Sequence, residues 1–386
     1  MNSDSSMPTN NGRGISSKDF VGEAKCFASE VKDSVEERVQ HHTFKLDTLK
    51  AEALRLGFSA CGASRARAVD PEHAQTFLQW LTEGKNAGMD YMHNYIDLRL
   101  DPCRLMPGAR TIISVALSYY PKQTLATEQY QFSYYAYGKD YHIVMRDRLR
   151  RLAAACLPDA QCRICVDTAP VMERFWAMQS GLGWIGRNKT LIVPRVGSFV
   201  FLGEIITDAV ADEYDEPLAI NCGSCHRCLD SCPTCALSAN YSVLSSSPSS
   251  AVSSALLSPV SSLDARCCLS YLTIEHRGEF IDEIAGLVAQ NVQKCTNSHN
   301  VKYVYGCDRC QMCCPHNQHA EPTIVDEFLP SRQFLSMIKE DWHSLTLGQY
   351  QEIFRGSAVK RVKYEGFMRN IRMVSCQKSY DGQNQP

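Results

Sequence analysis

Eight of the cysteines fall into two runs whose spacing can carry redox chemistry. The first is Cys222-x2-Cys225-x2-Cys228-x3-Cys232-Pro233, the C-x2-C-x2-C-x3-C-P run that holds 4Fe–4S cubanes. Three thiolates two residues apart on a tight loop reach three irons of one cube, and the fourth, beyond a turn begun by proline, points toward a second cube. The second run is Cys307-x2-Cys310-x2-Cys313-Cys314-Pro315. A strict repeat would place its last cysteine where Asn317 stands, so Cys314, beside the proline, is the ligand that reaches across. One cluster then takes Cys222, Cys225, Cys228 and Cys314. The other takes Cys232, Cys307 and Cys310 and lacks one thiolate, which Cys268 or Cys267 in ARCCLSYL, or Cys313, could supply. The competing reading is a pair of four-cysteine zinc sites. Zinc has no use for a third closely spaced cysteine, which disfavours it. Cys26, Cys61, Cys103, Cys156, Cys162, Cys165, Cys295 and Cys376 are scattered and read as small buried or incidental thiols.

Four further features bear on chemistry. Asp167 in CVDTAPVMER follows a short strand and precedes Pro170, where a carboxylate can project from a strand end into a pocket; most such aspartates are caps or turn residues. Asp140-Tyr141-His142 begins a D-x-H-x-x-G cobalt-ligand signature, but residue 145 is Met, so His142 reads equally as a hydrogen-bonded structural histidine. Residues 181–186, GLGWIG, spell G-x-G-x-x-G with a helical segment before it and a strand after it, the reverse of a dinucleotide site. Its glycines suit close backbone approach to some other large planar ligand. Residues 355–372 carry Arg355, Lys360, Arg361, Lys363, Arg369 and Arg372 against the single acid Glu365, with Tyr364 and Phe367 interleaved. Such a stripe suits a phosphate backbone, with aromatic surfaces for packing or stacking, or else is a solvated helix face.

The elements that must position these residues are readable from patterning. The chain has 386 residues, 40 Lys+Arg against 42 Asp+Glu, 44% hydrophobic residues and 19 cysteines. That length predicts two or three domains at about 100–200 residues each. The near-neutral balance excludes a polycation, so any nucleic-acid contact must be local. No run of about 18 apolar residues predicts a membrane span. The opening MNSDSSMPTNNGRGISS lacks the apolar core of a secretory leader, which predicts a cytoplasmic protein and, with an odd cysteine count, metal rather than disulfides. Apolar Leu46, Leu49, Ala53 and Leu56 fall at helical spacing within residues 41–56. TIISVALSYY (111–120), after Pro107-Gly108, and SFVFLGEIIT (198–207) read as strands, and MRDRLRRLAAAC (145–156) as a helix. We therefore expect a flexible segment at 1–40, an α+β domain at 41–216, a cofactor-holding domain at 217–322 and a basic helical region at 323–386. Eleven of the 21 residues at 242–262 are serine, which reads as a flexible insertion.

Taken together, LDPCRLMPGARTIISVALSYY, YAYGKDYHIVM, VDTAPVMERFWAMQSGLGWIGRNKTLIV, GSFVFLGEIIT, CGSCHRCLDSCPT, LDARCCLSYLTIEHRGEF, YGCDRCQMCCPHN and FRGSAVKRVKYEGFMRN resemble the epoxyqueuosine reductase family of tRNA queuosine biosynthesis. They run in order from about residue 41 to 372. The resemblance implies a cobalamin-dependent reductase with two 4Fe–4S clusters. A nitroreductase-like α+β domain would hold cobalamin and precede a ferredoxin-like domain. It implies Asp167 as proton donor and Cys268 as the eighth cluster ligand. Asn94, Tyr141, His142, Asp167, Leu191, Leu202, Ser270, Cys307 and Asp308, with the 181–188 turn, would line the corrin. Glu275, His276, Arg277, Lys360, Arg361 and Lys363 would grip a tRNA carrying a GUN-type anticodon. Three departures stand out: Cys235 where the family has glycine, the serine-rich insertion, and Asn94 where a basic residue is expected.

The implied reaction removes an epoxide oxygen with two electrons and two protons, leaving an alkene and water. A pocket covered by the corrin and so desolvated would raise the Asp167 pKa and let it donate near neutral pH. The implied partners are tRNA and a low-potential electron donor, and a monomer is expected. Rival readings are a dehalogenase-like cobalamin and iron–sulfur reductase acting on a small molecule, a non-catalytic iron–sulfur electron carrier or nucleic-acid binder, and a zinc scaffold.

Overall fold

The computed structural model describes residues 42–237, 262–282, 284, 286 and 301–375. The segment expected to be flexible at 1–40 and nearly all of the serine-rich insertion lie outside the described residues, as do Cys26, Cys295 and Cys376. From residue 41 onward the chain forms one compact unit of mixed α and β structure.

Helix α1 (Leu46–Arg55) and strand β1 (Ala60–Arg65) come first, followed by β2 (Thr111–Ser118), α2 (Tyr141–Cys156), β3 (Cys162–Cys165), α3 (Glu173–Gln179) and β4 (Val200–Thr207). The four strands make one antiparallel sheet in the order β1-β2-β4-β3. All eight residues of β2 are buried, so both faces of the sheet must be covered. Alternation divides them. Ile113, Val115 and Leu117 face α1 and α2 and join Leu49, Ala53, Met145, Leu149 and Leu152. Ile112 and Ala116 face the other way, toward Phe175, Trp176 and Ala177 of α3.

The expected elements are present with shifted ends. The helix expected at 41–56 begins at Leu46, after a two-residue strand Thr43–Phe44 that pairs with Val210–Ala211. The helix expected at 145–156 begins four residues earlier, at Tyr141, because Asp140 caps it by accepting a hydrogen bond from the His142 amide at 3.0 Å. The strand-like TLIVP contributes only Leu191–Ile192, paired with Trp184–Ile185. The glycine-rich segment is therefore the approach to a β-hairpin. A Cβ on Gly183 would stand 2.1 Å from the Ile192 carbonyl oxygen, which explains that glycine by close strand approach.

The main core does not stop at residue 216 or 322: it runs from Phe44 to Val374. Short strands Gln131–Phe132 and Tyr303–Tyr305 pair in parallel, and the second of them leads directly into Cys307. Helix α4 (Leu269–Ile274) and helix α5 (Lys363–Ser375) pack beside that pair. Fully buried Asn370 on α5 donates to the carbonyls of Thr273 at 2.8 Å and Val304 at 3.0 Å, joining all three elements. Phe132 is at the centre of the aromatic packing, with ring centroids of Phe334, Trp342, Phe367 and Phe354 at 5.0, 5.2, 5.7 and 6.0 Å. We expect Phe132→Ala to cost about 3–5 kcal/mol of stability, read from denaturant unfolding, because the cavity opens inside a packed aromatic cluster. A loss below about 1 kcal/mol would show that the cluster does not hold this region together.

Candidate redox and proton-transfer site

The cysteine runs fold into two groups. Cys222, Cys225, Cys228 and Cys314 line one cavity, together with Arg187, Asn188, Arg227 and His316. Gly223 turns the loop at φ +53°, and the Asn221 side chain accepts its amide at 2.8 Å. In the second group burial pushes the Cys310 thiol well above its ordinary value, reinforced by neighbouring Cys307, Cys268 and Cys232. Cys314 thus stands with the first run and Cys232 with the second, the crossing expected from the two Cys-Pro pairs. Of the three candidates for the eighth thiolate, Cys268 has Cys232 beside it and is an electrostatic neighbour of both Cys307 and Cys310. Cys267 also adjoins Cys232 but is buried in the main core. Cys313 sits against the first group, its Sγ 3.0 Å from the Ser231 hydroxyl. Cys235 adopts φ +55°, the left-handed backbone that suits glycine better.

These thiols suit a multi-iron group. The first four surround a cavity, as a cube needs when each thiolate binds a different corner. Among the described residues, no three Cys, His, Asp or Glu side chains are close enough to hold a single metal ion. The hairpin ties the sheet to both groups: Arg187 donates to the Gly223 carbonyl at 3.0 Å, Asn188 to the Cys310 carbonyl at 3.4 Å, and Arg174 of α3 to the Lys189 carbonyl.

Asp167 lies just past β3 with φ +54°. Its Oδ2 is 3.1 Å from His142 Nε2, and His142 Nδ1 is 2.6 Å from Asp140 Oδ1, so one imidazole bridges two carboxylates. Tyr141 stacks on Phe201 with centroids 4.3 Å apart and on His142 at 4.1 Å. Burial alone would lower the His142 pKa, but the two aspartates overcome it and push it up to about 9. Burial works to raise the Asp167 carboxyl, yet the His142 hydrogen bond and charge win, and the group is held below the ordinary carboxylate range. Burial is the largest single influence, and the His142, Tyr141 and Arg361 contacts together outweigh it. The dissociable proton of the pair therefore rests on His142.

Arg361 and Glu275 complete the surroundings. Arg361 grips Glu275 with Nε at 2.9 Å from Oε1 and Nη2 at 2.8 Å from Oε2, and its charge is felt by Asp167. Arg277 donates to the Arg361 carbonyl at 3.2 Å, and the Arg361 guanidinium stands 5.8 Å from the centroid of the exposed Tyr91 ring. Lys360 and Lys363 are exposed nearby in sequence, and His276 packs on Phe280 at 5.2 Å. The expected basic stripe is shorter than its sequence. Arg369 is buried and donates to the carbonyls of Leu272, His276 and Gly278, Phe367 is core, and the Tyr364 hydroxyl donates to the Leu345 carbonyl.

The remaining expected residues differ in availability. Asn94 is exposed; Tyr141, His142, Leu202, Ser270 and Cys307 are half-buried. Leu191 is buried among Ala116, Ala177, Leu182 and Val193, and Asp308 is buried with its Oδ2 accepting the Tyr134 amide at 2.7 Å. Sequence reasoning missed Tyr91, Glu173 and Glu204. Glu204, in the middle of β4, is fully buried and has no hydrogen-bond partner among the described residues. A charged residue inside an otherwise apolar strand was the available signal.

Comparison with known proteins bears on the chain as a whole. The family model described as "Epoxyqueuosine reductase QueG, DUF1730" matches residues 99–168, the segment that ends at the Asp167 turn. The epoxyqueuosine reductase of Cellulophaga algicola is 38% identical over 328 residues, covering 84% of this chain and 96% of that one. That of Gloeobacter violaceus is 38% identical, covering 84% and 93%. A crystal structure of selenomethionine-labelled epoxyqueuosine reductase superposes with a TM-score of 0.70 at 26% identity, over 85% of this chain and 80% of that one. A second, of the enzyme with a tRNA-Tyr epoxyqueuosine-modified stem loop, also scores 0.70, at 25% identity and the same coverage. An identity this high, sustained from end to end of the relatives, leaves one conclusion: the chain belongs to the epoxyqueuosine reductase family.

Proposed function

We propose that this protein reduces epoxyqueuosine to queuosine in the anticodon of GUN-type tRNAs, taking up two electrons and two protons per epoxide and releasing water. The observation that carries the reading is the meeting of the His142–Asp167 proton pair with exposed Arg361, brought from distant parts of the chain to one place. The proton pair faces solvent, where a reacting nucleoside can enter, and the arginine supplies charge for its phosphates. Family membership supports the substrate, and a relative solved with a modified stem loop supports tRNA as its carrier. A dehalogenase-like activity on a small molecule is not favoured by these relatives.

Two 4Fe–4S clusters would be held by Cys222, Cys225, Cys228 and Cys314, and by Cys232, Cys268, Cys307 and Cys310. Around cobalamin we place Asn94, Tyr141, His142, Leu202, Ser270 and Cys307, whose side chains retain free surface; buried Leu191 and Asp308 would contribute through the backbone. Bound, these groups supply single low-potential electrons and a strongly reducing cobalt. The first domain is then nitroreductase-like and the cysteine domain ferredoxin-like, with a low-potential donor as redox partner and a cytoplasmic monomer as the working form. Among the described residues no helix is long and apolar enough to cross a membrane.

The chain's own part is proton delivery. His142 stores a proton between Asp140 and Asp167, and Asp167 passes it to the departing epoxide oxygen. Tyr141, stacked on Phe201, keeps the imidazole in plane with its partners. Asp167→Asn should abolish turnover while iron and cobalamin contents stay unchanged; full activity in that variant removes the assignment. Turnover should fall as pH rises through about 9, where His142 gives up its stored proton, and Asp140→Asn should move that fall to lower pH because Asp140 helps raise His142. A profile unmoved by the substitution would place the proton elsewhere. Cys310→Ser should reduce anaerobically reconstituted iron from about eight to about four per chain, whereas zinc in place of iron would sink the redox reading.

A further inference from the structure

Asp167 is exposed and carries a left-handed backbone at φ +54°, a region that L-residues seldom adopt, although Asn and Asp do so more often than most. Several hydrogen bonds meet at this turn. The His142 contact restrains the side chain, and Arg146 reaches the next residue, Thr168, through its hydroxyl at 2.8 Å. The turn is closed locally by the Thr168 amide, which donates to the Val166 carbonyl at 2.6 Å, and the Asp167 amide itself donates outside the turn, to Oε1 of Glu173. Glu173 opens α3, whose next turn buries Phe175 and Trp176 beneath the sheet, so the acceptor stands on a rigid element.

An acid in a first helical turn is ordinarily explained by the helix dipole. Glu173 does something else, since the N–H it accepts lies outside its own helix, on the residue that bears the acid. Its surroundings are also wrong for a surface carboxylate. Burial, then the Asp167 charge, pushes Glu173 up to about 7, and fully buried Glu204 is its electrostatic neighbour on β4. Keeping a carboxyl in such a place is costly unless one of its oxygens is needed as an acceptor.

We propose that Glu173 is a positioning residue for proton delivery, its carboxyl oxygen holding the Asp167 backbone in the left-handed conformation from which the Asp167 side chain meets His142 and the substrate. This rests on the reading of Asp167 as the acid. The residue does not touch substrate; it acts through Asp167, where misplacement by about 1 Å costs roughly 100-fold in rate.

Two substitutions separate reach from charge in the cofactor-loaded full-length enzyme acting on an epoxyqueuosine stem loop. Glu173→Gln keeps the acceptor oxygen at the same distance and loses the charge. Glu173→Asp keeps the charge and withdraws the oxygen by one methylene. We expect the Gln variant to retain most of kcat and the Asp variant to lose about 100-fold in kcat, with KM unchanged in both. Hydrogen exchange at the Asp167 amide, measured without substrate, should quicken in the Asp variant only. Equal activity in both variants, equal loss in both, or the reverse order would overturn the proposal, as would an Asp167 amide equally protected in all three proteins. The reading beneath it fails separately: full turnover by Asp167→Asn removes the acid, while the exchange result still decides whether Glu173 anchors that backbone.

Discussion

One imidazole shared between two carboxylates is the interaction on which the site depends. Asp140 caps α2 and in the same stroke orients His142, because its Oδ1 takes both the His142 amide and Nδ1. That leaves Nε2 aimed at Asp167. The consequence is electrostatic. Two negative neighbours hold a proton on the ring, and the ring holds Asp167 ionised in return. Under the proposed mechanism Asp167 would need no dry pocket in the free protein, since the proton would be stored one hydrogen bond away.

The same region is mechanically continuous with the thiols. Helix α3 lies under the sheet, begins with Glu173 at the Asp167 turn, and through Arg174 holds the hairpin at Lys189. The hairpin in turn reaches the first cysteine loop through Arg187 and the second through Asn188. A pair of antiparallel strands with glycine at the close approach is stiff enough to carry that link, and Gly183 permits it because any side chain there would meet the Ile192 backbone. On the far side, α5 is joined by Asn370 to α4 and to the strand that delivers Cys307. Thiol groups, proton pair and basic surface therefore share one scaffold, with the core running unbroken from Phe44 to Val374.

Much of this was legible in the residues. The strand at 111–118 announces itself as an apolar run, because a strand buried on both faces has no polar side to alternate with. The crossing of Cys232 and Cys314 between groups follows from their place before Pro233 and Pro315, a local backbone property. Other features were beyond local reading. The basic stripe looked uniform along the chain, yet Arg369 on α5 points inward to three carbonyls in and after α4, while Arg361, in the turn before α5, stays at the surface beside Glu275. The direction of the Asp167 pKa in the free protein depends on a histidine 25 positions away, a contact that no local pattern encodes.

Spacing and residue type by themselves determined that this chain carries two clustered cysteine runs, that its first part is a mixed α and β sheet structure, and which family it resembles. Those are short-range matters, decided by loop length, alternation and the chemistry of sulfur. Only the tertiary structure decided that Cys268 neighbours Cys232, Cys307 and Cys310 together, that His142 meets Asp167, and that Glu173 accepts the Asp167 amide. Each of these is a contact between segments far apart in sequence, and its energy depends on distance and burial, which no local pattern encodes.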